Sequence, residues 1–296
     1  MAKRLTLDDL DHLSTGKRTR LHRLLYQYGP ANGTGLFLPI DQGLEHGPRD
    51  FFANPASANP EYQLNLAVDG NYSGIVFQIG IAQKYMRQWA GKIPLIVKLN
   101  GKTEIPSDAE SFSPCLASVE DAVALGADAV GYTLYVGSPA QDRDFAQWEK
   151  VRRDAERLGM PTIIWAYPRG EAVDAKGGKE SVWAIDYAAR VAAEVGADVV
   201  KVNFPTLSPS PGSPKPYDTQ KFSPEEGVAR VIASAGKTLV LISGGEKEPD
   251  SELLEKARLS FEAGAAGLIF GRNTWQRPYD EALTLMRELR EIAMGA

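Results

Sequence analysis

Seven polar or aromatic side chains interrupt or directly follow short apolar segments of this sequence, and they are the first candidates for chemistry. They are Asp41, Lys98, Tyr135, Trp165, Tyr167, Lys201 and Arg272. The two lysines suggest covalent chemistry, because an amine that burial keeps neutral can attack a carbonyl carbon and form a Schiff base. Whether either lysine is enclosed depends on the elements that carry it.

Lys201 lies in the apolar segment DVVKVNF, which has the composition of a buried strand. Side chains alternate along a strand, so Lys201 points with Val199 and Asn203 to the side opposite Val200. In a barrel that side is the interior, where lost hydration would bring the lysine pKa below its ordinary value of about 10.4. Lys98 has the same position in its own segment. For each lysine the alternative is an ammonium held by a carboxylate, and the pattern does not rank the two.

Three segments repeat one plan: an amphipathic helix, a Gly-Ala pair and a short apolar strand. They read SVEDAVALGADAVGYTLY, IDYAARVAAEVGADVVKVNF and LEKARLSFEAGAAGLIFG. In the first, Ser118 and Asp121 have the spacing of a capping box, and Gly126 follows where a left-handed residue would end the helix. In the second, Tyr187 and Val191 are predicted to lie on one helical face. The repeated unit is therefore helix followed by strand.

Repeated helix–strand units predict parallel strands that are buried on both faces. Eight such strands are predicted, at residues 36–41, 74–78, 94–100, 128–135, 161–167, 198–204, 238–244 and 267–271. This number favours an α/β fold of the closed (β/α)8 type, a TIM barrel. An open Rossmann-like sheet is the alternative, but no GxGxxG follows the first strand and no GxxxxGK[ST] occurs.

Residues 1–296 are predicted to form a single barrel domain with two additions. The N-terminal extension, residues 1–35, would cover the barrel bottom or form an oligomer contact. Residues 205–226 are too rich in proline and serine for a helix and follow strand six, on the face where barrel enzymes have their active sites. This segment is either a lid or substrate loop or a passive insertion.

Two loops have the composition of a phosphate site. Barrels commonly bind phosphate with the loops after strands seven and eight. Ser243, Gly244 and Gly245 follow strand seven, and Gly271 and Arg272 follow strand eight. Glycine allows a close backbone approach and arginine adds a planar fork of donors, so phosphate binding is predicted here.

Composition narrows the class of partner. The net charge of −5 is small and spread along the chain, so neither nucleic acid nor a membrane surface is an expected partner. Cys115 is the single cysteine, which favours a reducing compartment, and we expect a cytoplasmic protein with no membrane span. The three histidines are His12, His22 and His46, and the first two precede the barrel. Since His46 has no histidine partner there, a zinc site is not expected, and His46 is instead a candidate for substrate contact.

Five motifs occur in order between residues 39 and 273, within a match that runs from about residue 36 to residue 290: PIDQGLEHGP, WAYPRG, VVKVNFP, SGGEK and FGRN. Together they resemble the archaeal-type class I fructose-bisphosphate aldolases. The resemblance implies a (β/α)8 barrel that uses no cofactor or metal, takes phosphorylated sugars of glycolysis and gluconeogenesis, and forms homo-oligomers. It also implies cleavage of fructose 1,6-bisphosphate to dihydroxyacetone phosphate and glyceraldehyde 3-phosphate.

The resemblance also assigns roles to residues. The family's Schiff-base lysine lies on the sixth strand, which is the position of Lys201, so Lys98 becomes a second lysine that lines the site. Tyr167 matches the family's base, and Asp41 matches an aspartate that handles protons and positions substrate hydroxyls. Trp165 matches a tryptophan that contacts substrate. Related Schiff-base barrels with transaldolase-like or thiolase-like reactions share these motifs, and a barrel that only binds a sugar phosphate is a further alternative.

Overall fold

The computed structural model describes residues 4–295, which form eight parallel strands closed into one barrel. The strands are Gly35–Pro39 (β1), Gly74–Gln78 (β2), Leu95–Lys98 (β3), Ala129–Val136 (β4), Thr162–Pro168 (β5), Val199–Asn203 (β6), Leu239–Ser243 (β7) and Gly267–Ile269 (β8). Each strand pairs with the next in sequence, and β8 pairs with β1. The predicted barrel is confirmed, and the open-sheet alternative is wrong.

Helices cover the outside of the barrel and several of its loops. They are Thr15–His22 (α1), Gln42–Glu45 (α2), Pro60–Asp69 (α3), Ile79–Tyr85 (α4), Val119–Ala124 (α5), Gln141–Arg157 (α6), Glu171–Asp174 (α7), Val182–Glu194 (α8), Pro224–Ala235 (α9), Asp250–Glu262 (α10), Arg272–Trp275 (α11) and Tyr279–Gly295 (α12). Short 3-10 turns, such as Asp108–Glu110, occur in the loops. Within residues 4–295 no helix has the length and apolar character needed to cross a membrane.

Local sequence explains where these helices begin and which face they bury. The Ser118 hydroxyl accepts a hydrogen bond from the Asp121 amide, as the predicted capping box requires, and Gly126 has a φ of 71°. The predicted face of α8 is wrong at Tyr187, which is 55% exposed while Ile185 and Ala188 are fully buried. Val191 of the same predicted face does pack against the core. Small alanines let the helix axis come close to the strands, and this outweighs the larger tyrosine ring in deciding the buried face.

The N-terminal segment closes the bottom of the barrel. The lower interior is filled by one side chain from each strand: Phe37, Val76, Ile96, Ala129, Ile163, Val199, Leu241 and Ile269. Leu10, Leu21, Leu24 and Leu25 pack in the same cluster. Of the two roles open to the predicted extension, these contacts support the barrel cover. Its first three residues lie outside the described part of the chain.

A buried ion pair ties this cover to the barrel. Lys17 Nζ donates to Asp198 Oδ1 at 2.9 Å, and the other Asp198 oxygen accepts from the amide and the hydroxyl of Thr162. The Lys17 side chain is only 4% exposed. Lys17 Nζ also lies 2.7 Å from the more exposed Glu156 carboxylate. A buried carboxylate that loses its cation keeps its desolvation cost, so Asp198 depends on Lys17.

We expect Lys17→Ala to lower the free energy of unfolding by about 3 kcal/mol, because Asp198 would be left as an unpaired buried charge. Denaturant unfolding followed by fluorescence measures this change. Lys237→Ala is the matched control, since Lys237 pairs with Asp11 at 3.4 Å on the surface and should cost below about 1 kcal/mol. Equal losses in the two variants would contradict the importance of the buried pair.

The segment predicted as a long loop is partly helical and is anchored to the chain that precedes α8. Helix α9 begins at Pro224 behind the N-cap Ser223, so the last three residues of the predicted range 205–226 form its first turn. The Thr206 amide donates to the Glu180 carbonyl at 2.7 Å, and Ser213 Oγ donates to the Lys176 carbonyl at 3.0 Å. These contacts hold the segment against the residues that precede α8.

Candidate active site

Lys201 lies inside the upper part of the barrel. It is on β6, is 6% exposed, and pairs in register with Trp165 of β5. Its Nζ donates a hydrogen bond to the hydroxyl of Tyr167 and lies 4.2 Å from the centroid of that ring. Burial lowers the Lys201 pKa to about 7; Asp41 opposes this shift and Lys98 reinforces it. The amine therefore has a large neutral fraction near pH 7.

Lys98 has a different environment, although it also lies inside the barrel. Its Nζ is 3.1 Å from Asp41 Oδ2 and 4.7 Å from the centroid of the Trp165 ring. Lys98 is thus engaged by a carboxylate and an aromatic face, both of which favour a cation. The strand pattern left the two lysines unranked and the resemblance ranked Lys201 first. In the structure Lys201 has the contacts of a nucleophile, and Lys98 is the ion-pair partner of Asp41.

Tyr167 is the hydroxyl nearest to the Lys201 amine. Burial raises its pKa well above the ordinary value, the carboxylates of Glu45 and Asp41 add to this effect, and the Arg169 guanidinium opposes it. The side chain therefore rests as a neutral phenol. A neutral phenol can donate a proton first and accept one only afterwards, which sets the order in which Tyr167 could act.

Asp41 follows β1, is 7% exposed, and has one oxygen still available. Its Oδ2 contacts Lys98, whereas Oδ1 is buried without a hydrogen-bond partner among the described residues. A buried acceptor left unpaired costs free energy, and such atoms are common where a ligand completes the hydrogen bond. Asp41 is therefore placed to accept a hydrogen bond from a substrate hydroxyl near Lys201.

Trp165 contacts Lys98 inside the barrel, whereas His46 is hydrogen-bonded to Asp50. Trp165 is 2% exposed, and its indole packs over Gly131, where an added Cβ would lie 2.6 Å from the ring. It forms the floor beneath Lys98. His46 lies in the loop after β1, where its Nδ1 is 2.7 Å from Asp50 Oδ2. Within residues 4–295 the hydrogen-bond partner of His46 is thus Asp50 and not a member of the group around Lys201.

The two predicted phosphate loops lie next to each other. Ser243 ends β7 and is followed by Gly244 and Gly245, while Gly271 and Arg272 follow β8, the neighbouring strand. An Arg272 guanidinium nitrogen donates to the Gly245 carbonyl at 3.3 Å and links the loops. Gly245 has a φ of 66° and open space around its Cβ position, so the backbone is accessible there.

Two asparagines that sequence analysis did not single out shape this region. Asn273 Nδ2 donates to the carbonyls of Gly244 and Glu246 and holds the β7 loop. Asn203 Oδ1 accepts a hydrogen bond from Ser243 Oγ at 2.7 Å. Asn203 lies two residues after Lys201 and so on the same side of the strand, and Asn273 ends the FGRN motif. Both could therefore have been identified as candidates from the sequence.

Two charged residues near the Tyr167 and Tyr135 rings, Arg169 and Lys102, were also not predicted from the sequence. The Arg169 guanidinium carbon lies 5.1 Å from the centroid of the Tyr167 ring, and the Lys102 ammonium lies 5.9 Å from the Tyr135 ring. Arg169 lies in the WAYPRG motif, two residues after Tyr167, so this motif could have identified it as a candidate site residue. Lys102 lies in an irregular loop after β3, where no periodicity marks a side chain as facing the site.

Comparisons with family models, curated relatives and solved structures all point to aldolases. Residues 36–277 match the model of the DeoC/LacD family aldolases. A class 1 fructose-bisphosphate aldolase of Thermoproteus tenax is 42% identical over 264 residues, which are 89% of this chain and 90% of that protein. A Methanocaldococcus jannaschii protein described as fructose-bisphosphate aldolase/6-deoxy-5-ketofructose 1-phosphate synthase is 32% identical, over 99% of this chain and 93% of that one.

A solved structure supports the same assignment. An archaeal fructose-1,6-bisphosphate aldolase, with its catalytic lysine covalently bound to the carbinolamine intermediate of the substrate, is 39% identical. It superposes with a TM-score of 0.79 and covers 93% of this chain and 100% of its own. From the matched family model, the relatives and the barrel that they share, the chain belongs to the DeoC/LacD family of aldolases.

Proposed function

We propose that this protein is a class I, metal-independent fructose-bisphosphate aldolase that holds its substrate as a Schiff base on Lys201. The observation that carries the proposal is a buried lysine with a pKa lowered to about 7, in contact with the Tyr167 hydroxyl and near the Asp41 carboxylate. The relatives named above support it, since they are described as aldolases of this class.

The first half of the reaction forms the iminium. The neutral Lys201 amine attacks the ketone carbon and gives a carbinolamine. Tyr167 donates its proton to the departing hydroxyl, which leaves as water, and the nitrogen lone pair forms the C=N bond. Asp41 accepts a hydrogen bond from a neighbouring substrate hydroxyl and holds the carbinolamine in position. Tyr167 leaves this step as a phenolate.

The second half breaks the carbon–carbon bond. The Tyr167 phenolate takes the proton from the hydroxyl on the fourth carbon, and that oxygen forms the aldehyde carbonyl. The electrons of the bond between the third and fourth carbons move to the iminium, whose nitrogen becomes neutral as the enamine forms. Protonation of the enamine carbon by Tyr167 and hydrolysis then release the second product and restore the amine.

The loops after β7 and β8 would bind the phosphate nearest the ketone. Ser243, Gly244, Gly245, Gly271 and Arg272 supply a hydroxyl, exposed backbone and a guanidinium beside the strand that carries Lys201. Charge-assisted hydrogen bonds to a phosphate are stronger than neutral ones, so these groups would fix the ketone carbon near the amine. Trp165 and Lys98 would form the floor and His46 would contribute only at the rim.

A related reaction is the second candidate. The Methanocaldococcus jannaschii relative combines an aldolase name with a synthase name, and such reactions need the same iminium and enamine. The two functions differ in the aldehyde that meets the enamine after cleavage. Supplying alternative aldehydes to the enzyme with dihydroxyacetone phosphate would separate them. A barrel that only binds sugar phosphates is disfavoured, because binding does not require a lysine of lowered pKa.

The proposal is tested by borohydride trapping with fructose 1,6-bisphosphate and peptide mass mapping. We expect a reduced adduct on Lys201, with a rate of formation that rises with pH through about 7 as the amine loses its proton. Triose phosphates should be released in the same samples without borohydride. An active enzyme that forms no adduct, or an adduct on another lysine, would contradict the proposed mechanism.

We further propose that the enzyme acts in the cytoplasm on phosphorylated sugars, as a homo-oligomer and without nucleic acid or membrane partners. The single cysteine supports the reducing compartment, and burial raises the pKa of the Cys115 thiol to about 11, so it is unreactive there. Exposed rings such as Phe52 and Tyr187 are available for subunit contacts. Light scattering at defined concentration measures the oligomeric state.

A further inference from the structure

A small polar cavity lies at the carboxyl ends of the strands, across the barrel from Lys201. Its walls come from β2, β3 and β4 and from the loops after β1 and β3, and they include Asp41, Gln78, Lys98 and Tyr135. In the closed ring of eight strands, β2 lies opposite β6. The free volume of the cavity is about 10 Å³, which is roughly enough for one water-sized group. The cavity therefore suits a single hydroxyl and not a larger substituent.

Two acceptor atoms on the walls of this cavity have no donor. Gln78 Oε1 and Asp41 Oδ1 are buried and make no hydrogen bond with the described part of the chain. Asp41 is already proposed to bind a hydroxyl beside the ketone, which leaves Gln78 without an assigned partner. A buried acceptor left unpaired costs free energy, and a bound ligand can complete its hydrogen bond. Gln78 Oε1 is therefore a candidate for substrate contact.

The orientation of the Gln78 amide is fixed by its surroundings. Its Nε2 donates to the Asn100 carbonyl at 3.4 Å, so Oε1 must point away from that carbonyl. Asn100 is itself fully buried, and its Nδ2 donates to the carbonyls of Ser113 and Thr133 at 3.1 and 2.9 Å. An added Cβ at Gly101 would lie only 3.0 Å from Gln78 Nε2, so the chain packs closely behind the amide. Gln78 thus offers the cavity an acceptor and not a donor.

Lys98 supplies the complementary donor. It is the register partner of Gln78 on β3, so the two side chains are neighbours on the inner face of the barrel. Its ammonium has three N–H groups, and the contact with Asp41 uses one of them. A hydroxyl can donate to Gln78 Oε1 and accept from Lys98 Nζ at the same time. A carbonyl oxygen cannot donate, and a methylene group can do neither, so the cavity selects for a hydroxyl.

The neighbours of the cavity indicate which substrate hydroxyl would reach it. Tyr135 lines the cavity and is the register partner of Tyr167, which is proposed to take the proton from the hydroxyl on the fourth carbon. Asp41, on another wall, is proposed to bind the hydroxyl beside the ketone. These assignments leave the hydroxyl on the fifth carbon, which is bonded to the fourth. After cleavage this hydroxyl lies next to the aldehyde carbon.

We propose that Gln78, together with Lys98, binds the hydroxyl on the fifth carbon of the substrate and thereby selects aldehydes that carry a hydroxyl beside the carbonyl. The inference rests on the proposed function and extends it to the aldehyde product. An aldehyde without that hydroxyl would leave the buried Gln78 oxygen unpaired, and a site built to bind a hydroxyl rejects an analogue that lacks it. No phosphate takes part in this selection.

The experiment measures the aldol addition of dihydroxyacetone phosphate to D-glyceraldehyde and to 3-hydroxypropanal, which differ only in this hydroxyl. We expect the full-length wild-type protein to have a kcat/KM about 10- to 100-fold higher for D-glyceraldehyde. Gln78→Met keeps the length of the side chain and removes its acceptor, so it should lower that preference by about 10-fold. Equal kcat/KM values for the two aldehydes in the wild-type protein would overturn the inference, whether or not the variant folds.

Gln63→Met is the matched control. Gln63 is also a buried glutamine, its Nε2 donates to the Ser57 carbonyl at 2.6 Å, and its Oε1 has no partner within residues 4–295, but it lies on α3, outside the barrel. This variant should retain the wild-type preference. A preference that is unchanged in Gln78→Met, or that falls equally in both variants, would overturn the role of Gln78 alone. Failure of the wild-type protein to form a Lys201 adduct with dihydroxyacetone phosphate would overturn the proposed function as well.

Discussion

Replacing Lys201 with methionine is expected to abolish the borohydride adduct and to lower aldol cleavage by roughly 10⁴- to 10⁶-fold, because no other group in the site can become the electron sink. Methionine has a similar length and fills the same space, so the barrel should not collapse around a cavity. Trapping followed by mass mapping, together with a coupled assay of triose phosphate release, measures both effects.

The same substitution should leave stability intact or increase it. Lys201 has a pKa near 7 in the folded protein and an ordinary, higher value in the unfolded chain, so the unfolded state binds more protons between these two values. Folding of the wild-type protein is therefore penalised below the folded pKa, and its stability rises with pH above it. Lys201→Met removes that penalty, and its unfolding midpoint at neutral pH should equal or exceed that of the wild type.

Lys98→Met is the matched control for the choice of nucleophile. It removes the other lysine inside the barrel and leaves Asp41 without its ion-pair partner, so activity should fall, but the adduct should still form on Lys201. Residual adduct in Lys201→Met that maps to Lys98 would mean that the two lysines have been assigned the wrong roles.

Replacing Tyr167 with phenylalanine is expected to lower cleavage by about 10²- to 10⁴-fold, the range for loss of a general acid or base. The ring, its packing and its contact with the Arg169 guanidinium remain, whereas the hydroxyl beside the Lys201 amine is lost. An adduct with dihydroxyacetone phosphate should still accumulate on Lys201, although more slowly, and KM should change less than kcat.

Tyr135→Phe is the appropriate comparison for Tyr167→Phe. Tyr135 is the register partner of Tyr167 on the neighbouring strand, and burial raises the pKa of its hydroxyl too, but that hydroxyl contacts Ser113 at 3.2 Å. Its loss should lower cleavage by less than about 10-fold. If the two variants lose activity equally, proton transfer cannot be assigned to Tyr167 alone.

Local sequence was sufficient to predict the strands and helices that build the barrel. The eight apolar segments, the capping residues such as Ser118 and the left-handed Gly126 define parallel strands and their helices, because burial on both faces and helix ends impose residue types directly. Polar groups near the ends of apolar strands could also be found in this way, and Lys201, Tyr167 and Asp41 are brought to one end of the barrel as predicted from their strands.

Local sequence patterns could not predict which side chains from different strands and loops come into contact. Asp41 lies 57 residues before Lys98 in the chain, yet contacts it and not Lys201. This pairing and the contact of Lys201 with the Tyr167 hydroxyl distinguish the two lysines. The loop after β3 has no periodicity, so the closeness of Asp108 to Arg169 could not be predicted from sequence. The sequence by itself determined the barrel and its chemical inventory. Both lysines are buried. Tertiary structure decided which of them lies beside a phenol and which is held by a carboxylate, because that depends on closure of the strands into one ring.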